Sequence, residues 1–340
     1  MAEVVLRGVS KSFGSGKSAV TALDNIDLHI PDGSFVVLLG PTGAGKTTTL
    51  RLIAGLESTD SGDISIDGYS VNDTTPAQRN VAMVFQQYSL YPHLSVRDNL
   101  AFPLKSPILR TSKEDIVKRV AEVAEVLQIS DKLENKATEL SGGEMQRVSI
   151  GRALVRSPSI FLMDEPLSSL DAKLRSELRL ELKRLQADLG ATFLHVTHDQ
   201  VEAMTMATHV GVLNEGKLVQ FGTPREIYEN PDSIYVASRL GLPRINTMPA
   251  NMLSTAPENA TIIGLRPEHI VLNSSSEVSS FNGQISRIEP LGDQTRLHLH
   301  INDNTLVTLI EPNSTLSKGE LVSVSLRNPL FFDEQGMRLR

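Results

Sequence analysis

Over its first 240 residues the chain alternates short, unbroken apolar runs with longer stretches in which apolar residues recur every three or four positions. Phe35–Gly40 is one such run, opening into a glycine-rich turn and then a helical pattern over Thr47–Leu56. Ile160–Asp164 is a second, followed by Ala172–Leu189, where Leu174, Leu178, Leu182, Leu185 and Leu189 make one apolar stripe at spacings of 4, 4, 3 and 4. Buried strands followed by amphipathic helices predict parallel strands joined by helical crossovers. Gly190 stops the helix, and Ala191–Thr197 predicts a third strand. Between these elements, Ser112–Gln128 predicts a helix with Ile116, Val117, Val120, Val123, Ala124 and Leu127 facing inwards, and with Ser112 and Asp115 at capping distance. The stretch from about 90 to 158 is therefore mostly helical, a subdomain attached to the sheet.

The pattern changes after Pro243. Thr261–Arg266, His269–Leu272, Gln294–Ile301, Leu306–Ile310 and Leu321–Arg327 are short strand-like runs, several strictly alternating. Turn signals at Asn282-Gly283, Leu291-Gly292-Asp293 and Lys318-Gly319 separate them. A small antiparallel, barrel-like domain follows from that pattern. The expected division is residues 1–241, an α/β nucleotide-binding domain, and 242–340, an all-β domain.

At 340 residues, with 40% hydrophobic and 21% charged residues, the chain has the mass for two ordinary globular cores. No apolar run approaches the roughly 20 residues of a membrane-spanning helix, and the first residues do not read as a signal peptide. There is no cysteine, which excludes disulfides and thiolate metal sites. The net charge of −7 is spread evenly: residues 242–340 hold 8 Lys/Arg against 10 Asp/Glu, leaving 25 against 30 in the rest. Without a basic stripe, nucleic acid is not an expected partner.

The chemistry concentrates in three places. Gly40, Pro41, Thr42, Gly43, Ala44, Gly45, Lys46 and Thr47, with Thr48 following, match the P-loop pattern between a strand and a helix. Glycines let backbone N–H groups turn towards phosphate oxygens; Lys46 reaches the terminal phosphates and the Thr47 hydroxyl suits Mg²⁺. A chance glycine-rich turn is the plain alternative, but such turns seldom fall between an apolar strand and a helix. Ile160–Asp164 ends in two carboxylates, Asp164 suited to Mg²⁺ and Glu165 to polarising the attacking water. Ser141, Gly142, Gly143 and Glu144 precede a helix over Met145–Arg156, either a second anion site at a helix N-terminus or a simple N-cap. Two phosphate-binding devices in one chain invite a dimer in which each site uses one of each.

Leu140-Ser-Gly-Gly-Glu-Met-Gln-Arg147, with the P-loop and Asp164-Glu165-Pro166, resembles the ABC ATPases, the α/β P-loop NTPases of that superfamily. The resemblance implies ATP and Mg²⁺ as cofactors and further site residues. Phe13 looks like the aromatic that stacks on adenine, where Tyr is more usual. Gln86 looks like the glutamine that senses γ-phosphate and Mg²⁺. Ser168-Ser169-Leu170-Asp171 is similar to the loop that contacts the opposite subunit, and His198 looks like the switch histidine on the γ-phosphate. Glu144 departs from the pattern, since Gln is commoner there.

His195 lies in a strand, faces away from His198 and is expected to be structural. His298 and His300, on one strand face without a ligand set nearby, read as a solvated face rather than a metal pair. Gln86–Val96 and Gln220–Tyr228 resemble the corresponding stretches of maltose-type sugar importers, and Gly264-Leu-Arg-Pro-Glu-His269 resembles their oligosaccharide-binding-like (OB-like) regulatory domain. What this implies is the ATP-hydrolysing subunit of an importer for a sugar, polyol or glycerol phosphate. It would lie on the cytoplasmic face of the inner membrane, with a second ATPase subunit (a homodimer), two transmembrane permease subunits and, indirectly, an extracytoplasmic solute-binding protein. Polyamine and iron importers share the architecture. A soluble ABC ATPase of translation or repair is the alternative of another class, but it usually carries two nucleotide-binding halves or a long coiled-coil insertion.

Overall fold

The computed structural model describes residues 2–106, 111–272 and 280–340. The chain divides into two compact units, residues 1–224 and 225–340.

The strands of the first unit are β1 (Val4–Phe13), β2 (Val20–Ile30), β3 (Phe35–Leu39), β4 (Ser61–Ile66), β5 (Tyr69–Ser70), β6 (Val81–Val84), β7 (Ile160–Asp164), β8 (Thr192–Thr197), β9 (His209–Asn214) and β10 (Lys217–Gly222). Its helices are α1 (Lys46–Ala54), α2 (Val96–Ala101), α3 (Lys113–Val126), α4 (Gly142–Leu154), α5 (Ala172–Leu189) and α6 (Gln200–Met206). The central sheet runs β10-β9-β3-β8-β7-β6, parallel from β9 to β6 with β10 antiparallel at its edge. All of β3 and β8 is buried, as a parallel sheet covered on both faces requires. A second sheet, antiparallel in the order β2-β1-β4-β5, packs its Val4, Leu6, Ile26 and Ile64 into the same core as β3 and α1. The alternation of strands and crossover helices did not point to this sheet.

Helix α3 carries the Ser112 cap, whose hydroxyl accepts the Asp115 N–H at 3.1 Å. Val120, Val123, Ala124 and Leu127 are buried, but Val117 faces solvent at 59% exposure. Helix α5 buries Leu178, Leu182 and Leu185, whereas Leu189 is exposed at its last turn, before the left-handed Gly190. In each helix the buried stripe is narrower than its sequence pattern, covering the C-terminal half of α3 and the middle of α5.

The second unit comprises α7 (Pro224–Glu229), α8 (Ile234–Ala237), β11 (Asn246–Pro249), β12 (Ile262–Leu265), β13 (Ile270–Leu272), β14 (Ser280–Pro290), β15 (Thr295–Ile301), β16 (Asn304–Ile310), β17 (Leu321–Leu326), β18 (Leu330–Phe332) and β19 (Arg338–Leu339), α7 starting on the last residue of the first. Two antiparallel sheets, β11-β12-β18-β19 and β13-β17-β14-β15-β16, enclose an apolar core that includes Ile263, Ile285, Leu297, Leu306 and Val324. Asn282-Gly283 is not a turn: both residues lie inside β14 and pair with Ser323 and Val322. Gly283 is small there because Val324 of β17 crosses close to it. His300 is exposed, but His298 is half-buried with Nε2 3.4 Å from Glu289, which Arg287 and Arg296 also flank.

The boundary falls at the start of α7, after Pro224, for a physical reason. Arg266 is buried, its planar guanidinium 3.8 Å from the Tyr228 ring centroid. It donates to the backbone carbonyls of Tyr228 (2.7 Å), Ala237 (2.9 Å) and Leu240, tying 225–240 to the β domain. Ala237 also sits in one apolar cluster with Ile245, Leu330 and Phe332.

Candidate functional site

Parallel strands present their C-terminal ends at one edge of the sheet, and loops leaving that edge converge. The P-loop follows β3, Gln86 follows β6, Asp164 and Glu165 end β7, and His198 follows β8.

Gly43 and Gly45 have φ of 83° and 99°, and a Cβ on Gly45 would stand 2.6 Å from the Ala22 carbonyl oxygen. Only glycine closes this turn. Gly45 is also the N-cap of α1, so no side chain covers the first amides of the helix and no acid lies in its first turn. These exposed donors and the positive end of the helix suit phosphate. Lys46 is buried, its ammonium donating to the carbonyls of Gly40 at 2.9 Å and Pro41 at 3.0 Å, and lies 3.8 Å from Glu165. Burial pulls its pKa below the usual lysine value, against the opposing pull of Glu165 and Asp164.

The Thr47 hydroxyl donates to Asp164 at 2.9 Å, so one hydroxyl and one carboxylate, both hard oxygen donors, meet beside the P-loop. Burial raises the pKa of Asp164, with the Thr47 hydrogen bond acting against it. Glu165 has the left-handed φ of 44°, which turns its side chain away from the strand direction. Its carboxylate lies 3.1 Å from Nδ1 of His198. Gln86 donates to the Ser168 hydroxyl at 3.4 Å, and the Tyr88 hydroxyl lies 3.1 Å from that of Ser169.

A cleft of about 460 Å³ joins these groups, running from Phe13 and Val20 past Thr42, Gly43, Gly45, Lys46, Thr47 and Thr48 to Gln86 and Glu165. Phe13 is 41% exposed, with the Lys11 ammonium 5.4 Å from its ring centroid. Val20, opposite end of the same β1–β2 connection, is a lining residue that no motif marked.

Ser141, Gly142, Gly143, Glu144 and Asp171 do not line this cleft. Ser141 caps α4, and Glu144 closes a capping box by accepting its N–H and hydroxyl, both at 2.8 Å. Lys132 pairs with Glu144 at 3.4 Å. The Ser141 N–H and hydroxyl, with Lys132 beyond them, hold the Glu144 carboxyl below its usual pKa. A Cβ on Gly143 would meet Leu174 at 2.3 Å, so this turn packs directly on α5. Asp171 caps α5, accepting the Leu174 N–H at 3.0 Å. His195 is fully buried, its Nε2 2.8 Å from the Glu202 carboxylate, the structural role its strand position implied. A second groove, of about 270 Å³, is lined by Phe85, Tyr88, Tyr91, Phe102 and Arg152, whose guanidinium stands 4.9 Å from the Tyr91 ring centroid.

Comparison with known proteins decides the family. A model of ABC transporters matches residues 23–168 and a model of the TOBE domain matches 263–329. The sn-glycerol-3-phosphate import ATP-binding protein UgpC of Ruegeria sp. (strain TM1040) is 45% identical over 98% of both chains. The chain belongs to the ABC transporter ATP-binding family. UgpC of Brucella abortus (strain 2308) is also 45% identical, over 95% of each chain. Among solved structures, a dimeric post-hydrolysis ATP-binding cassette bound to ADP and Pi is 33% identical, with a TM-score of 0.59 over 65% of this chain and 99% of that one. ATP is thus the nucleotide this family member binds and hydrolyses, and the β unit is its TOBE, OB-like domain.

Proposed function

We propose that this ABC ATPase powers import of a carbohydrate-like solute, a sugar, polyol or glycerol phosphate, from the cytoplasmic face of the inner membrane. The observation that carries the catalytic part is the convergence of Lys46, the Thr47–Asp164 pair and the Glu165–His198 pair at one edge of the sheet. Phe13 stacks on the adenine, and the P-loop backbone N–H groups from Thr42 to Thr48 hold the phosphates. Lys46 neutralises charge on the terminal phosphates. Thr47, Asp164 and Gln86 would hold Mg²⁺, which would supply further charge neutralisation there. Glu165 takes the proton of the water that attacks the γ-phosphorus, and His198 orients Glu165 and the phosphate.

Ser141, Gly142, Gly143, Glu144 and Asp171 lie outside the cleft, which fits a head-to-tail dimer. There they close the partner subunit's nucleotide site. The groove of Phe85, Tyr88, Tyr91 and Phe102 offers two exposed phenylalanines, Phe85 and Phe102, and two half-buried tyrosines beside Gln86, suited to a helix of a transmembrane permease subunit. The names of the relatives favour glycerol phosphate among the solutes. A test measures uptake of labelled sn-glycerol-3-phosphate, and of a sugar in parallel, in cells carrying this chain with its permeases. Uptake of neither, with ATPase activity intact, overturns the solute class.

A further inference from the structure

The loop after Glu165 is held from four sides, and one side chain holds it from behind. Ser168 Oγ donates to the Glu165 carbonyl at 2.9 Å, while Gln86 and Tyr88 reach Ser168 and Ser169 from the segment after β6. Behind the loop stands Arg175, in the first turns of α5. Its Nε donates to the Leu167 carbonyl at 3.2 Å, and its Nη2 to those of Leu170 at 2.8 Å and Ser168 at 3.5 Å. Its Nη1 lies 3.7 Å from a carboxylate oxygen of Asp199. The other oxygen of Asp199 caps α6 by accepting the Val201 N–H at 2.7 Å, and the Asp199 N–H donates to Thr197 at 3.0 Å. His198 sits between those two anchored residues, against Glu165.

We infer that Arg175 is a positioning residue for hydrolysis: its guanidinium clamps the 167–170 loop to Asp199 and thereby sets the His198 turn against Glu165. Arg175 does not line the nucleotide cleft and touches no reacting atom. It acts through the two strand ends it joins, one bearing the carboxylate and the other the histidine. A planar fork with five donors serves three carbonyls and a carboxylate at once; an ammonium on a flexible stem does not. The same loop carries Ser168, Ser169 and Asp171, so the clamp also links the surface offered to a second subunit with the hydrolytic pair. Arg175 makes none of these hydrogen bonds to the P-loop, so the clamp acts on turnover and not on nucleotide affinity.

This inference rests on the roles proposed above for Glu165 and His198. The test is steady-state ATPase kinetics of the full chain with Arg175→Gln, Arg175→Lys, Asp199→Asn and the Arg175→Gln/Asp199→Asn pair, beside Lys46→Ala. Misplacing a catalytic pair by a fraction of an ångström predicts a fall in kcat of about tenfold or more for Arg175→Gln, with KM for ATP changed less than about twofold. Arg175→Lys recovers little of it. Asp199→Asn keeps the cap acceptor and removes the charge, so it lowers kcat by the same route, and the double variant is no worse than the worse single one. If Arg175→Gln does not fold, Asp199→Asn alone carries the test. A parent-like kcat in a folded Arg175→Gln or Asp199→Asn chain, equal change in kcat and KM, or additive losses overturns the clamp while the site reading stands. Activity surviving Lys46→Ala overturns both.

Discussion

Lys46, Glu165 and Glu144 each answer to a different local force, and each yields a separate measurement. Lys46 is buried and lines the cleft beside the P-loop. Lys46→Ala is expected to abolish turnover and leave the fold intact, read by ATPase assay and circular dichroism. Glu165→Gln keeps the size and the hydrogen bond to His198 but loses the basic carboxylate. Turnover falls by roughly a hundredfold or more while ATP still binds, and light scattering with Mg-free ATP detects a closed dimer. A chain that binds ATP fully yet stays monomeric at high concentration refutes the shared site. At Glu144 the Gln commoner in the family can still accept the Ser141 N–H, so the difference is charge. The folded carboxyl titrates below the ordinary value, so its charge stabilises the capping box fully above about pH 4.3. That contribution is lost as the pH falls through the lower folded value. The melting difference between parent and Glu144→Gln is therefore constant from pH 8 to about 5 and shrinks below that.

At the scale of single elements, the motifs were legible because P-loop chemistry permits few residue types at fixed spacing. Strand β7 and helix α5 match their sequence ranges residue for residue. The antiparallel β1-β2-β4-β5 sheet was not legible: its strands carry register irregularities and exposed positions that break clean alternation. Arg175 was passed over because one arginine on an amphipathic helix reads as a solvated face; its place four residues after the Asp171 cap was the only available signal. The segment Tyr88–Pro92 is fixed by Asn99, fully buried, which accepts the Tyr91 N–H at 2.9 Å and donates to the Tyr91 carbonyl at 3.1 Å. A charge introduced at Tyr91 (Tyr91→Glu) is expected to uncouple transport while the isolated subunit keeps its ATPase activity; equal loss of both overturns the docking groove.

For the whole molecule, the division of the chain decides what can be cut. Residues 225–240 hang on Arg266, so a chain ending at Gly241 keeps α7 and α8 but loses the side chain that holds them. A fragment ending at Pro224 is expected to be more soluble than one ending at Gly241, with ATP binding retained in both. In the full chain, Arg266→Ala leaves the buried carbonyls of Ala237 and Leu240 and the partly buried one of Tyr228 without their donor, costing the second unit about 1–3 kcal/mol for each buried one, measured by its denaturant midpoint. ATP affinity is unchanged by that substitution.

The P-loop and the Asp164-Glu165 pair were read from residue order, and with them the resemblance to the family, because each motif is a short contiguous run whose backbone geometry and donors are local. Strand order, and with it the meeting of Glu165 and His198 from different strands, came only from the folded sheet. Hydrogen-bond pairing across β3, β8 and β7 sets those neighbours, and it joins residues that sequence spacing leaves far apart. The Arg175 clamp, the capping role of Glu144 with Lys132, and the attachment of 225–240 to the β domain belong to the same class. Each is a contact between side chains and backbone groups that no local pattern of polar and apolar residues specifies.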